Sequence, residues 1–185
     1  RWQTDCIFDN LNWRNESFMD VTWFSTNDSG ATQHRLTVAD FFDGTAQFDI
    51  SIDASSPKVR WRIKPTLAAV NGADLLAWFD RRSRWRGPID LDGEVSFLGN
   101  SAAGFLFTAK GELNLSSTNG NLDLRDIKSQ VEGIGRIMGK PDSVDEWPDE
   151  LNYQNFSAHW VMQGAEHQIA ALLDNLKLSA AGNYQ

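Results

Sequence analysis

The side chains that could do chemistry are few and scattered in this 185-residue sequence. It has three histidines, at positions 34, 159 and 167, and a single cysteine, Cys6. His159 and His167 could meet across a hairpin, but two histidines without a third ligand make a poor zinc site. Neither a nucleophile elbow nor a cysteine–histidine signature is present. The sequence therefore predicts a protein with no metal, no cofactor and no nucleophilic catalysis.

Three carboxylates, Asp90, Asp92 and Glu94, alternate with apolar residues in the segment GPIDLDGEVSFLG. Two carboxylates about 5–10 Å apart could in principle hydrolyse a glycosidic bond. Alternate residues of a strand share one face, however, and carboxylates along one face are typical of a sheet surface that meets water. We interpret them as a hydrated outer face and predict that the protein is not an enzyme.

Charge is unevenly distributed along the chain. The net charge of −8 argues against a nucleic-acid-binding protein. Eight of the 17 basic residues nevertheless lie between positions 58 and 86. In KVRWRIK the cations recur at every second residue, which predicts a positive stripe on one face of a strand. The stripe is either a solvated face or a site for anionic lipid headgroups or an acidic partner. The eight residues are Lys58, Arg60, Arg62, Lys64, Arg81, Arg82, Arg84 and Arg86.

Runs of alternating apolar and polar residues, separated by turn signals, predict a one-sided antiparallel sheet. The first 65 residues are predicted to form a meander of strands, and three more strands are predicted after position 155. Asn119-Gly120 predicts a hairpin turn. The residues predicted on the apolar face are Phe48, Ile50, Ile52, Ile89, Leu91, Phe97, Leu113, Leu115, Phe156 and Trp160.

Helices are predicted to cover part of this sheet. Steps of three and four between apolar residues predict one helix from Leu67 to Arg82, which Asn71-Gly72 could divide, and another from Leu124 to Met138. Residues 101–110 are assigned a short helix in preference to a strand, and residues 141–150 an acidic linker. The predicted fold class is α+β: a curved, mainly antiparallel sheet with one apolar face and about two helices.

The length and the 41% hydrophobic content suit a single domain over residues 1–185. Residues 1–65 and 66–185 could form two sub-units of it. The sequence opens and closes within predicted strands, so we expect the natural polypeptide to extend beyond at least one end. Eight Trp and eleven Phe are a heavy load of large rings, some of which must line a surface.

Glycine and leucine spacing from about Gly72 to Gly182 resembles the C-terminal domain of the AsmA family of Gram-negative envelope proteins. The motifs are a helix with Asp74, Leu75, Leu76 and Trp78; a G-x-I-x-L-x-G strand from Gly87 to Gly93; the turn Gly99-Asn100-Ser101; and Gly111 to Leu115. Further along they are Asn119-Gly120, Leu122 to Ile127, Tyr153, Phe156, Gly164, Leu176, Leu178 and Gly182, with Phe41-Phe42-Asp43-Gly44 upstream.

The resemblance implies a periplasmic module of a protein anchored in the inner membrane by a segment outside this sequence. AsmA-like proteins are long β-sheet grooves with an apolar inner surface that carries phospholipid between the membranes and supports outer-membrane biogenesis. This chain would then be part of such a groove or its terminal cap. Phospholipid or another envelope lipid is the expected ligand, with an envelope protein as a further expected partner and no nucleic acid.

Three alternatives stay open on the sequence. The apolar residues could form an ordinary closed core under the helices. The chain could be a docking module that takes a partner strand at a sheet edge without charge or bulge. It could also be a carbohydrate-binding β-sandwich with Trp13, Trp23 and Trp85 as stacking platforms in a shallow row.

Overall fold

The computed structural model describes residues 1–79, 85–125, 128 and 148–183. Strands and two short helices make up most of this part of the chain. The strands are β1 (Trp2–Trp13), β2 (Glu16–Asp28), β3 (Ala31–Phe41), β4 (Gly44–Asp53), β5 (Arg60–Asn71), β6 (Trp85–Arg86), β7 (Pro88–Leu98), β8 (Lys110–Asp123), β9 (Glu150–Gln163), β10 (Glu166–Leu173) and β11 (Leu176–Asn183). The helices are α1 (Gly72–Trp78) and α2 (Ala102–Thr108).

All these strands belong to one 11-stranded sheet in the order β1-β2-β3-β4-β5-β7-β8-β9-β10-β11, with β6 paired to β8. Neighbours in this order pair antiparallel throughout. The sheet is open, because β1 and β11 form its two edges in the described part of the chain. The predicted mainly antiparallel sheet with about two helices is therefore confirmed.

The register defines two faces, since directly paired residues of neighbouring strands point to the same side. Phe48 pairs with Leu36 and Pro65, and the next residue, Asp49, pairs with Arg35 and Lys64. Both helices pack on the side that carries Phe48. We call this side the helix face and the other side the opposite face.

The first buried cluster lies beneath α1, at one end of the strands. Phe18, Val21, Val38, Phe41, Ala46, Leu67 and Val70 form it, and Leu75 and Trp78 of α1 pack against it. Asn71 caps α1 by accepting hydrogen bonds from the backbone N–H groups of Ala73 and Asp74. The helix is thereby fixed at the point where β5 ends.

The predicted helix from Leu67 to Arg82 is wrong in its first part, because β5 continues through Pro65 as far as Asn71. A β-bulge between Leu67 and Val70 explains the error. The bulge puts an extra residue, Ala69 with φ of 54°, between two residues that both face the core. Apolar residues three positions apart then look like a helical period. Val38 and Phe41 in β3 have the same spacing, and the register of that strand shifts between them.

The hairpin turn predicted at Asn119-Gly120 is also wrong: β8 runs straight through it and pairs with β9 on both sides. The glycine is needed for close approach instead. A Cβ on Gly120 would lie 2.0 Å from the Tyr153 hydroxyl oxygen and 2.6 Å from the Arg86 carbonyl oxygen. Tyr153 is buried and shares a 2.7 Å hydrogen bond with Ser117. Burial raises the pKa of its phenol, although hydrogen bonds with Ser117 and Trp85 partly offset the effect.

The second buried cluster lies beneath α2, at the other end of the strands. Val95, Ala109 and Met162 form it, with Phe105 of α2 packed against them. Ser101 caps α2 by accepting a hydrogen bond from the Gly104 N–H. The short helix predicted within residues 101–110 is therefore confirmed.

The predicted helix from Leu124 to Met138 and the acidic linker at 141–150 lie mostly outside the described residues. Arg81, Arg82 and Arg84 lie outside them entirely. The division of the chain at residue 65 falls within β5, which pairs with β4 on one side and β7 on the other.

Candidate functional site

The ten residues predicted on the apolar face all lie on the helix face by register. Phe48 and Ile50 alternate in β4, while Leu91 pairs with Leu67 and with Leu115. Leu113 pairs with Trp160, and Phe97 pairs with Trp61. The remaining pairs are Ile52 with Trp61, Ile89 with Val70 and Phe156 with Ser117.

One register line crosses the whole sheet between α1 and α2, and we call it the central row. It joins paired residues except at Pro65 and Gly93, which stand opposite each other between the pairs on either side of them. Leu36 and Phe48 are half-buried in it, as are Leu113 and Trp160. Trp23 and Ile169 are both 42% exposed. Its members, one from each strand from β1 to β11 except β6, are Cys6, Trp23, Leu36, Phe48, Pro65, Gly93, Leu113, Trp160, Ile169 and Ala180.

Trp23, Leu36 and Ile169 were not among the residues predicted on this surface. Leu36 has polar neighbours on both sides, but Trp23 is followed by Phe24 and Ile169 by Ala170, so the alternation around those two is incomplete. The backbones of β2 and β3 are also irregular. Asp20 in β2 has φ of 50°, and β3 shifts its register between Val38 and Phe41. These irregularities join two alternating stretches out of phase, and only the pairing shows which residues share a side.

Two tryptophan–histidine pairs occupy the flanks of the central row. The Trp23 indole N–H donates to His34 Nδ1 at 3.4 Å, and the Trp160 indole N–H donates to His167 Nδ1 at 3.2 Å. His167 is 6% exposed, and its Nε2 lies 3.2 Å from the carbonyl oxygens of both Leu106 and Gly164. Nδ1 therefore accepts and Nε2 donates. Each pair satisfies the one polar atom of an indole whose ring lies in an apolar surface.

The basic stripe of β5 lies on the opposite face, with the apolar residues of the same strand behind it. Arg62 Nε lies 3.2 Å from Glu94 Oε1 of β7. Lys64 pairs with Asp49 of β4, which also accepts a 2.6 Å hydrogen bond from Arg35. Partial burial raises the pKa of Asp49, but the hydrogen bonds from Arg35 and Gln47 outweigh it, so the pKa is below its usual value. Carboxylates thus flank the stripe on both sides.

Two further basic residues of the predicted set lie apart from that face of β5. Lys58 is exposed in the connection before β5, and Arg86 is exposed in β6. Arg60 faces Asp53, whose pKa is lowered by hydrogen bonds from Ser55 and by the charge of Arg60. The stripe itself therefore consists of Arg60, Arg62 and Lys64, on the side of the sheet away from the helices.

His159 and His167, which the sequence suggested could meet across a hairpin, lie on opposite faces. His159 pairs with Asn114 and Ala170, whereas His167 pairs with Met162. The two rings are thereby separated by the thickness of the sheet. Among the described residues, no three His, Cys, Asp or Glu side chains are grouped so that they could hold a metal ion.

The tryptophans proposed as carbohydrate platforms do not form one exposed row. Trp13 is 55% exposed but packs edge-on against Trp78 at 5.0 Å. Trp85 is half-buried, with its ring 4.7 Å from Phe156 and its indole N–H bonded to Ser117. The described strands also form one sheet, whereas a sandwich has two packed sheets.

Both edges of the described sheet carry charge. β1 contains Asp5 and Asp9, and β11 contains Lys177. Charged side chains are a common device against unwanted strand pairing. Neither edge is the uncharged strand that the docking alternative requires.

No protein-family model, no curated protein and no solved structure matches this chain. The resemblance to the AsmA family therefore rests on the sequence motifs alone. Within the described residues, no helix has the length and hydropathy that crossing a bilayer requires.

Proposed function

We propose that this chain is a non-catalytic lipid-handling module of the AsmA-like kind, which acts in the Gram-negative periplasm in phospholipid transport between the inner and outer membranes. Lipid acyl chains lie on the helix face, along the central row. The observation that carries this proposal is the composition of that row: it takes one residue from each of ten strands, and none of the ten is charged.

The dimensions of the row suit acyl chains. Ten strands have nine spacings of about 4.8 Å, so the row is about 43 Å long. One leaflet of a bilayer contributes about 15 Å of hydrocarbon, half of the core thickness. Acyl chains could therefore lie across the strands end to end. Each methylene kept from water contributes about 0.8 kcal/mol.

The positions of the two short helices support an open central surface. α1 packs on the cluster at one end of the strands and α2 on the cluster at the other. Between them Trp23 and Ile169 stay 42% exposed, although both are large and apolar. Trp23 and Ile169 lie near opposite ends of the row, and Pro65 between them is buried. Large apolar side chains that stay exposed at both ends are accessible to an apolar ligand.

The basic stripe has a separate role in this proposal. Arg60, Arg62 and Lys64 point away from the central row, so they do not meet the headgroup of a lipid that lies on the helix face. They are available to an acidic partner on the opposite face. Asp49 and Glu94 weaken that interaction because they neutralise part of the stripe.

The test compares two adjacent residues of β2 that point to different faces. Trp23→Glu places a charge in the central row, and Phe24→Glu places the same charge on the opposite face at a similar exposure, 42% against 37%. Ile169→Glu repeats the change at the other flank of the row. The protein and its variants are expressed in a Gram-negative periplasm, checked by circular dichroism and examined by native mass spectrometry with lipid extraction.

We expect phospholipid to copurify with the unchanged protein and with Phe24→Glu. In Trp23→Glu and Ile169→Glu the bound fraction should fall at least tenfold, since a carboxylate against an acyl chain costs more than about 1.4 kcal/mol. A folded protein that neither carries phospholipid nor takes it up from added vesicles would refute the proposal and make the helix face a closed core. Equal loss in all three variants would also refute it.

A further inference from the structure

A cavity of about 730 Å³ lies against the opposite face, over the half of the sheet formed by β5 and by β7 to β11. Its volume is within the range of about 300–1,000 Å³ that is usual for small-molecule sites. It is on the other side of the sheet from the central row, so the proposed function does not account for it.

β7 and β8 approach each other closely at two glycines that lie beside the cavity and do not line it. Gly93 and Gly111 have φ of 140° and 138°. A Cβ on Gly93 would lie 2.2 Å from the Glu112 carbonyl oxygen, and one on Gly111 would lie 2.0 Å from the Glu94 carbonyl oxygen. Glycine inside a strand marks such a close backbone approach. Both glycines lie on the helix face by register, in the two strands that carry Asp92 and Asn114 on the opposite face.

Two neighbouring rows of polar side chains line the cavity. The first row is Asp92, Asn114 and His159, from β7, β8 and β9. Hydrogen bonds hold it: Asn114 Nδ2 donates to Asp92 Oδ2 at 3.5 Å, and Asn114 Oδ1 accepts from His159 Nδ1 at 2.7 Å. The other ring nitrogen of His159 lies 3.6 Å from Glu112 Oε2. The chain of contacts orients the amide and the imidazole before any ligand arrives.

The second row is Asp90, Ser116 and Ser157, and Lys177 of β11 continues the same register line beyond Leu172. Asp90 Oδ1 accepts the Ala69 N–H at 2.8 Å. In the described part of the chain the side chains of Ser116, Ser157 and Lys177 make no hydrogen bond. Hydroxyl and ammonium groups that line a cavity without partners are available to a ligand.

The lining also has an apolar side, which lies on β10. Leu172 is 39% exposed although it is on the polar face, and Ala170 beside it is exposed. The cavity therefore presents acceptors (Asp90, Asp92), donors and acceptors (Asn114, Ser116, Ser157), a cation (Lys177) and one apolar wall. A pyranose has the matching surface, since its hydroxyls both donate and accept and its C–H groups form an apolar face.

We propose that this cavity binds a neutral oligosaccharide. The two carboxylates disfavour a phosphorylated or acidic sugar, because like charges at short range repel. The ring hydroxyls bind Asp92 and Asn114, and the C–H face of one ring packs on Leu172. The alternative small ligand is a polyamine, which would bind the two carboxylates and no other group of the lining.

The test uses the full chain and saturation-transfer NMR with three defined probes: maltotriose, cellotriose and chitotriose. Spermidine is the polyamine control. Asp92→Ala and Asn114→Ala remove the polar contacts, and Thr37→Ala is the matched control, since Thr37 lies on the same face but outside the cavity. All variants are first checked for folding by circular dichroism.

We expect at least one of the three sugars to bind with a dissociation constant in the millimolar range or below. Asp92→Ala and Asn114→Ala should each weaken it at least tenfold, and Thr37→Ala should leave it unchanged. Absence of binding by all three sugars, or binding of spermidine alone, overturns the proposal. Asp92→Ala should carry as much phospholipid as the unchanged protein. A failure of the oligosaccharide proposal can therefore be distinguished from a failure of the lipid proposal.

Discussion

Replacing Gly120 by alanine should destabilise the protein severely, although the sequence suggests a tolerant turn. A Cβ there would lie 2.0 Å from the hydroxyl oxygen and 2.3 Å from Cζ of Tyr153. To reach ordinary contact at 3.4 Å, the tyrosine ring must move by more than 1 Å. That movement breaks the 2.7 Å hydrogen bond between Tyr153 and Ser117, both of which are buried.

The magnitude follows from two costs. Overpacking a well-packed site costs about 1–3 kcal/mol. A buried hydroxyl left without its partner adds about 1–3 kcal/mol. We expect Gly120→Ala to lower the free energy of unfolding by about 3–4 kcal/mol, a large share of the 5–15 kcal/mol typical of a domain. Urea denaturation followed by tryptophan fluorescence measures it.

Gly182→Ala is the matched control. A Cβ on Gly182 would have no atom within 4 Å. The free energy of unfolding of this variant should therefore stay within about 0.5 kcal/mol of that of the unchanged protein. Tyr153→Leu removes the hydroxyl and Cζ, which are the atoms that a Cβ on residue 120 would meet. The double variant should therefore lose at least about 1 kcal/mol less stability than the two single variants lose in sum. If Gly120→Ala costs no more than Gly182→Ala, the close approach of the Tyr153 ring is refuted.

Three further predictions concern named contacts, and urea denaturation measures each. Asp49→Asn should lower the free energy of unfolding by less than about 1 kcal/mol at pH 7. The pKa of Asp49 is lowered on folding, so the stability difference between the variant and the unchanged protein should shrink as the pH falls below about 3.9. A difference that grows in acid would contradict this prediction. His167→Ala leaves the Trp160 indole N–H without its acceptor and should cost about 2 kcal/mol, whereas a neutral result would mean that the pair contributes nothing. Gly111→Ala meets the backbone oxygen of Glu94 and should cost about 3 kcal/mol; an effect as small as that of Gly182→Ala would rule out the close approach of β7 and β8.

Most of the strands were predictable because each keeps its alternation over enough residues. The segments around Ile50 and Leu91 alternate strictly and the one around Trp160 nearly so, and each forms a strand at the expected place. A short helix within residues 101–110 was also predicted in preference to a strand, and Ser101 caps the helix that forms at 102–108. Local patterns of this kind reflect the geometry of the strand or helix itself, so they can be read without knowledge of the neighbours.

The errors arose where a local pattern had a non-local cause. Leu67 and Val70 have helical spacing because a bulge between them turns both towards the core. Asn119-Gly120 has the composition of a hairpin turn, but Tyr153 occupies the space beside the glycine from the neighbouring strand. Both features depend on residues at least 19 positions away, which a short window along the chain does not contain.

Alternation and charge are properties of single strands, so the amino-acid sequence was enough to predict a mainly antiparallel sheet and a basic stripe on β5. Which residues meet across the strands depends on the register, and the register follows from the folded chain. The register assembled the central row from ten strands, put Arg60, Arg62 and Lys64 on the side away from it, and brought Asp92, Asn114 and His159 together over a cavity. A shift of one residue in any pairing would exchange the faces of a strand, so composition along the chain leaves these surfaces undetermined.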